Sequence, residues 1–496
     1  MQTYTKKSNN LILKLIILLL IIANVSIIAI NFSNAKKEDE ITYFTGEILK
    51  PNHSANLVDY LDEEGNIVIS PININTSINK LYNIDPTNTK ISSYLAISLE
   101  ESNELEKTIN SSLNIVPSNK TEIDDLYISY ITILNNYRNY TIDDINDLSP
   151  TKKEELLLLL HKTIISYDTI TGTNISSKRY IENYKLTTEQ YNINSYAIYE
   201  MIITCLDNYE TYTYQNKITN YSEIIYNNDL LIQPKKRKKQ EYPEINNVTL
   251  SGISYNDKEI TTQTINNKIK EQTNNKVKYI VNEDEINTNG LYQINTFNFE
   301  SIWEENFSKE YIWDNEFITF DNHIEIVEML YEKQDFYLEN KKAYGFIKDF
   351  KDSKYSFIGI LPKEEGNFTL SSLNIESLLK NKVYNNTTIS IPKFTIQYNT
   401  NLTNLYNEIG IENTNNTLEL EHLSEQVTLN YMVSKISITI DEKGTNDGNI
   451  RSTQLETKDI DDESKQIYLN RPFAFLIIDN ETNNVLLIGK VTNPNK

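Results

Sequence analysis

The spacing of apolar residues changes along this chain, from helical stretches in the first half to alternation in the second. An apolar triplet, Ile67-Val68-Ile69, reads as a buried strand and runs into Ser70-Pro71. Ile74, Ile78 and Leu81 then share one helical face, so a helix is predicted from Ser-Pro, where proline's fixed φ suits the first turn. Between residues 100 and 245 the pattern is weakest, yet two helices stand out. One opens at Ser149-Pro150, with Thr151 and Glu154 as a capping box, and continues through Leu156–Leu160. The other spans about Thr188 to Tyr209 and carries Cys205 on its apolar side, as a small buried hydrophobe rather than a reactive thiol.

After residue 245 strands with short connections take over. Leu291 to Phe299 alternates, and Tyr355 to Pro362 reads as a strand ended by proline. Ile389 to Phe394 is another strand, in which Pro392 suggests an edge or a bulge. Val433 to Ile440 alternates again, and Phe473–Ile478 with Val485–Val491 reads as a hairpin turning at Glu481–Asn484. Helices first and strands later predict an α+β fold.

Composition narrows the chemistry. A chain of 496 residues, 39% hydrophobic, has ample material for a core, while its net charge of −22 argues against a general nucleic-acid binder. The single Cys205 excludes an internal disulfide framework and any multi-cysteine zinc site. His53, His161, His323 and His422 lie far apart, and no phosphate loop or nucleophile-elbow motif occurs. No cofactor, no metal and no catalytic constellation is therefore expected.

The N-terminus addresses location. Lys6 and Lys7 precede an apolar run from Leu11 to Phe32, and Ser33-Asn34-Ala35 supplies small residues suited to a cleavage site. Residues 1–35 are thus a cleaved signal peptide or an uncleaved anchor, and either places the rest outside the cytoplasm. The one basic run, Lys235-Lys236-Arg237-Lys238-Lys239, sits between Pro234 and Pro243. It reads as a solvated loop or, more sharply, as a contact for a polyanion or envelope surface.

The C-terminal stretch Asn470-Arg471-Pro472-Phe473-Ala474-Phe475, followed by Gly489-Lys490-Val491-Thr492-Asn493-Pro494, resembles the closing signature of the serpins. Other landmarks follow in the family's order. Asn66 to Pro71 is similar to its early strand-to-helix junction, although Ile84-Asp85 stands where Gly-Ala is usual. Ile265-Asn266 to Thr273 and Lys276 resembles the helix over the main sheet; Asn295, Phe299 and Trp303 match a strand of that sheet. Ile360 to Lys363, Ile391 to Phe394, Leu405 and Gly410-Ile411 match later landmarks. Ser434-Lys435 through Asp441-Glu442-Lys443-Gly444-Thr445 resembles the strand entering the reactive loop. The resemblance covers about 66–99 and 250–496, so one serpin domain over 40–496 is expected, with an insertion within about 100–245.

The resemblance implies a large mixed main sheet with further sheets, eight or nine helices and an exposed reactive loop over 444–470. It implies a suicide-substrate inhibitor, not an enzyme: an extracellular serine protease cuts the loop, whose first half then inserts into the main sheet of a monomeric protein. Counting from the hinge places the cut at Lys458–Asp459, which suits a trypsin-like pocket; counting from Pro472 places it at Asp461–Asp462. Hinge residues are Glu442, Gly444, Thr445, Asp447, Gly448, Asn449, Ile450 and Arg451; Ser70, Asn73, Asn295, Trp303 and Ser434 mark the region where the sheet opens. The family usually has Ser at the position of Asn73, His at that of Ser434, and mostly Ala across Asp447 to Ile450. Burying Asp447 and Arg451 unpaired would cost several kcal/mol each. A serpin-fold protein that does not inhibit, acting as a protease substrate or surface-binding module, is therefore the alternative.

Overall fold

A computed structural model describes residues 47–61, 65–84, 86, 88–113, 125–171, 194–213, 216–227, 244–245, 248–255, 257–273, 275, 277–286, 290–411, 418–419, 428–445 and 464–496. The chain divides into Met1–Thr45, which lies outside the described residues, and Gly46–Lys496. The expected signal or anchor segment therefore falls outside the description, as does the basic run at 235–239.

Helix α1 (Pro51–Asp59) and strand β1 (Ile67–Ile69) lead into α2 (Pro71–Ile84). Ser70 starts α2 as the sequence suggests: its Oγ accepts the Asn73 N–H at 3.2 Å and its carbonyl accepts that of Ile74 at 3.0 Å. Almost every residue of α2 is buried, including Asn73, Asn75, Ser77, Asn79 and Asn83, so this helix crosses the interior with polar side chains that need partners inside. Helices α3 (Thr89–Leu95) and α4 (Leu99–Leu113) follow.

Helices α5 (Asp125–Tyr137), α6 (Ile142–Asn146), α7 (Pro150–Thr171) and α8 (Ser195–Thr213) build a small core of their own. Leu126, Ile133, Ile145, Leu160, Ile198 and Ile202 meet there, with Cys205 wholly buried among them. Burial pushes the Cys205 thiol pKa up, which leaves it an inert hydrophobe. The cap of α7 is Ser149 rather than Thr151, because Pro150 already occupies the first helical position and the Ser149 Oγ takes the Lys152 N–H. The described part of the second helix starts at Ser195; residues 188–193 lie outside the description.

Strands β2 (Lys217–Asn227), β3 (Glu244–Ile245) and β4 (Val248–Ile253), helix α9 (Lys258–Gln272) and strand β5 (Gly290–Glu300) form one side of the central sheet. Strands β6 (Ile312–Ile318), β7 (Ile324–Glu339), β8 (Ala343–Asp349) and β9 (Tyr355–Pro362) belong to the other sheet. Then come α10 (Ile375–Lys380), β10 (Lys382–Pro392), β11 (Phe394–Asn401), α11 (Leu402–Glu408), β12 (Leu418–Glu419) and β13 (Thr428–Ile440). Strands β14 (Lys465–Tyr468), β15 (Phe473–Asp479) and β16 (Val485–Val491) close the chain.

The central sheet runs β11-β13-β5-β2-β4-β3, with β12 on β13; the second runs β1-β16-β15-β9-β8-β7-β10-β14, with β6 on β7. One large apolar core joins α1, α2 and both sheets, which makes this the α+β architecture expected. The hairpin of β15 and β16 is buried on both faces, so its residues read as apolar runs rather than alternation. Pro392 corrects one expectation. Strand β10 lies between β7 and β14, its irregularity falls between Tyr384 and Thr387, and Pro392 simply ends the strand opposite Met329. At that last position a missing N–H removes no further rung.

Candidate functional site

Strands β5 and β13 are parallel neighbours, paired from Thr428↔Gly290 to Ser434↔Asn295 and on to Ile436↔Phe297. Beyond that rung each strand keeps only its outer partner. Ile440 still faces Phe394 of β11, and Glu300 still faces Lys217 of β2. The two middle strands thus part at their C-terminal ends and leave a wedge at the head of the sheet.

The segment after β13 fills the mouth of that wedge. The Trp303 ring is fully buried, stacks on Phe350 at 4.5 Å and donates its Nε1–H to the Asp441 carbonyl at 2.8 Å. The Trp303 N–H goes to the Lys443 carbonyl at 2.9 Å, and that of Phe307 to the Glu442 carbonyl at 3.1 Å. The Lys348 ammonium, ion-paired to Glu332, lies 4.4 Å from the Phe307 ring centre and 5.5 Å from that of Trp303. Gly444 has φ +140°, and a Cβ there would stand 2.2 Å from the Ser301 carbonyl oxygen, so only glycine fits. Thr445 then docks in the wedge: its N–H donates to the Ser301 carbonyl at 2.8 Å, and its Oγ1 accepts the Ser301 N–H at 2.8 Å. The same hydroxyl donates to the Phe299 carbonyl at 3.0 Å, and the residue is buried.

Lys393 fixes the base of this segment from the start of β11. Its Nζ lies 2.9 Å from Glu442 and 3.2 Å from Glu328. Burial alone would raise the Glu442 pKa, but the Lys393 hydrogen bond and charge outweigh it and hold Glu442 below its ordinary range. Lys393 is correspondingly raised: burial lowers it, and the two carboxylates more than compensate. Asp441 moves the other way. Its burial raises it, even though its carboxylate accepts the N–H groups of Lys443 and Gly444.

Deeper in the sheet, Asn73 of α2 donates through Nδ2 to Asn220 Oδ1 at 2.8 Å and to the carbonyls of Tyr221 and Thr296 at 3.0 and 3.2 Å. One side chain thereby ties the buried helix to both β2 and β5. Asn295 reaches across the seam itself, Nδ2 donating to the Val433 carbonyl at 3.1 Å, while Ser434 stands buried opposite it.

Every proposed hinge and sheet-opening residue within the description thus lies on the β5–β13 seam, at its head, or in the helix beneath it. Asp447 to Arg451, and both candidate cuts at Lys458–Asp459 and Asp461–Asp462, lie outside the described residues. Sequence reasoning missed Lys393, Glu328 and Asn220. Lys393 was visible only as a residue beside Pro392, and nothing local in Asn220 points to α2. Among the described residues no group of three or more His, Cys, Asp or Glu side chains could hold a metal.

A parallel seam that parts at one end, with the Gly444 turn docked in its mouth, belongs to an α+β domain built around a mixed sheet. The sequence model of the family described as serpin (serine protease inhibitor) matches residues 198–494, and this chain belongs to that family. Alpha-1-antiproteinase 2 of Equus caballus is 26% identical over 254 residues, covering 49% of this chain and 59% of that protein. An uncharacterized serpin-like protein of Thermococcus kodakarensis is 28% identical, covering 46% of this chain and 56% of its own length. The aligned part therefore spans a little over half of those relatives. Among solved structures, the thermophilic serpin tengpin in its native state matches with a TM-score of 0.62 at 19% identity, covering 92% of this chain and 95% of that one. Protease nexin-1 with heparin matches at 0.60 and 16% identity, covering 91% and 100%. These likenesses establish the serpin fold.

Proposed function

We propose that this protein is an extracellular suicide-substrate inhibitor of serine endopeptidases. The observation that carries this reading is Thr445, whose N–H and hydroxyl bond to Ser301 and Phe299 at the end of β5, where β13 has parted from it. A protease cutting after Lys458 forms an acyl-enzyme on the Lys458 carbonyl. The freed segment then adds as a strand between β5 and β13, drawing the attached enzyme away before water can release it. Each inserted residue exchanges water for main-chain partners on both sides. A basic residue at the cut suits a trypsin-like pocket with its buried carboxylate; Asp461–Asp462 is the alternative bond.

Incubation with trypsin tests this. The expected product is an SDS-stable complex with the mass of trypsin plus the chain up to Lys458, the fragment from Asp459 onward being released, and Lys458→Ala abolishes it. Clean cleavage with neither complex nor a rise in melting temperature rejects the inhibitor reading.

A second reading, a serpin-fold surface protein that binds rather than inhibits, is favoured by the charged hinge residues Asp447 and Arg451. Thyroxine-binding globulin in complex with thyroxine has a similar fold, with a TM-score of 0.57 at 15% identity, so the fold also hosts ligand binders. Under either reading we place the protein outside the cytoplasm, released or held by residues 1–35, and take the insertion to lie within about 100–245, where α5 to α8 build their separate core. We assign Lys235 to Lys239 a polyanion contact, supported by the heparin held by protease nexin-1. Replacing all five with Ser abolishes heparin retention if that assignment holds; unchanged retention removes it.

A further inference from the structure

A cleft of about 640 Å³ opens at β11, the strand that ends the central sheet. Buried and exposed residues alternate along β11, so Thr395 and Gln397 are neighbours on its exposed face, and both line the cleft. The turn between β6 and β7 supplies a second wall, with Phe320 half-buried and Asp321 exposed. Asn66 before β1, with Asn493 and Lys496 after β16, supplies the third.

Hydrogen bonds fix these walls. The Thr319 hydroxyl donates to Asp321 Oδ1 at 2.5 Å, and His323 Nδ1 lies 2.8 Å from Asp321 Oδ2. Those two contacts hold the Asp321 carboxyl down to about 2, so it is an acceptor at any ordinary pH. The Phe320 N–H ties the turn to the third wall by donating to the Thr492 carbonyl at 3.3 Å. Asn66 pins that wall in turn. Its Oδ1 accepts the N–H groups of Thr492 and Asn493 at 2.7 and 3.0 Å, and its Nδ2 donates to the carbonyls of Asn493 and Lys496 at 2.6 and 3.0 Å. A ligand meets the cleft preformed and loses little affinity to ordering it.

The groups these walls leave unpaired indicate the ligand. Asn493 is buried and its Oδ1 accepts the Asn495 N–H at 2.9 Å, yet its Nδ2 has no partner among the described residues. The Gln397 amide has none among them either, for its donors or its acceptor. Each oxygen of Asp321 has one bond and can accept another. A ligand must therefore offer donors and acceptors together. One lysine and one aspartate cancel, which disfavours phosphates and polyanions. Ile396 and Phe320 are too little hydrocarbon for an apolar ligand. A sugar meets both conditions: each hydroxyl donates and accepts, and a pyranose ring has a C–H face that can lie on an aromatic ring. We propose that this cleft binds a short stretch of neutral glycan, with Thr395, Gln397, Asp321 and Asn493 on its hydroxyls and Phe320 against a ring face. The site goes beyond both readings of the reactive loop, since neither uses these residues.

Titration calorimetry of the full chain with maltotetraose, cellotetraose and chitotetraose tests it. At least one is expected to bind with a Kd of about 1 mM or tighter. Thr395→Val with Gln397→Leu removes polar groups from the exposed face of β11 at nearly constant size. This variant is expected to keep its melting temperature and to bind the sugar about tenfold more weakly or worse, as the loss of two hydrogen bonds requires. Phe320→Leu is expected to weaken the sugar as well, while heparin retention stays unchanged in every variant. Failure of all three sugars to bind at about 10 mM overturns the proposal, and so does binding that the double variant leaves intact. Two further results, in place of sugar binding, also refute it. Heparin retention lost in the double variant would make the cleft a polyanion site. Binding of an extended Thr-Val-Thr-Val peptide that survives both changes would make β11 a strand-pairing edge.

Discussion

The side-chain hydroxyl of Thr445 substitutes for a main-chain group opposite Ser301. It accepts the Ser301 N–H at 2.8 Å and passes its own proton to the Phe299 carbonyl at 3.0 Å, so the hinge residue completes the edge of β5 where β13 has already left it. Thr445→Val keeps the volume but leaves the buried Ser301 N–H without this acceptor. The expected loss is about 1–3 kcal/mol of unfolding free energy. Chemical denaturation measures it, and a loss below the experimental error contradicts the docked hinge.

Gly444→Ala tests the same mouth through the backbone. With φ at +140° and the Ser301 carbonyl in the place of a Cβ, alanine cannot sit there unless the turn shifts. The strain is on the order of 1–3 kcal/mol, enough to displace the Asp441 carbonyl from the Trp303 indole. In a Trp313→Phe background Trp303 is the one tryptophan, and red-edge excitation, which the tyrosines do not absorb, reads it alone. A red-shifted emission is expected for Gly444→Ala; an unchanged spectrum with unchanged stability would mean that the turn is not constrained as described.

The ion pair under the hinge sets a pH dependence. The folded pKa of Glu442 lies below its unfolded value, so its contribution is present above the unfolded pKa and disappears as pH falls through the folded one. Lys393 is raised in the fold, so its contribution is full below its unfolded pKa and disappears as pH rises through the folded one. Asp441 is raised by burial and opposes Glu442, gaining stability as pH falls. Melting temperature against pH should therefore show a shallower acid limb in Glu442→Gln and a steeper one in Asp441→Asn. The reverse order would disprove the assignment.

Asn73 marks where the sheet is tied to the helix beneath it. Its amide serves Asn220 on β2 and the carbonyls of Tyr221 and Thr296 at once. Asn73→Ala removes all three bonds and leaves buried acceptors unpaired. A loss of about 2–3 kcal/mol is expected, with faster strand entry because β2 and β5 are freed from α2. Lower stability without faster entry would show that α2 only supports the sheet and does not restrain it.

The parts that were legible in the sequence are those set by short-range rules. Ser70-Pro71 specifies a helix start through one hydroxyl and one fixed φ, and the hairpin of β15 and β16 is written as two apolar runs around a polar turn. The separate core of α5 to α8 was not legible. An apolar stripe identifies a buried face without saying which other stripe covers it, and Cys205 would look the same in either core. The partners of Asn73 lie 147 to 223 residues away, and Lys393 acquires its role only because the chain entering β11 delivers it between Glu328 and Glu442. Such pairings come from topology, and no local pattern announces them.

The charges of Asp447 and Arg451 offer the sharpest test of the proposed strand insertion. Thr445 faces inward, and strand alternation puts Asp447, Asn449, Arg451 and Thr453 on the same face once the loop is inserted. Asp447 and Arg451 would then stand roughly 13 Å apart, too far to pair directly. Each would be buried without a partner from the loop itself, at several kcal/mol. The double variant Asp447→Ala with Arg451→Thr removes both penalties and leaves the docked Thr445 untouched. After cleavage with trypsin it should insert at least tenfold faster than wild type and gain more melting temperature. If both proteins insert alike, the sheet itself supplies partners for these charges, and the hinge is no barrier to inhibition.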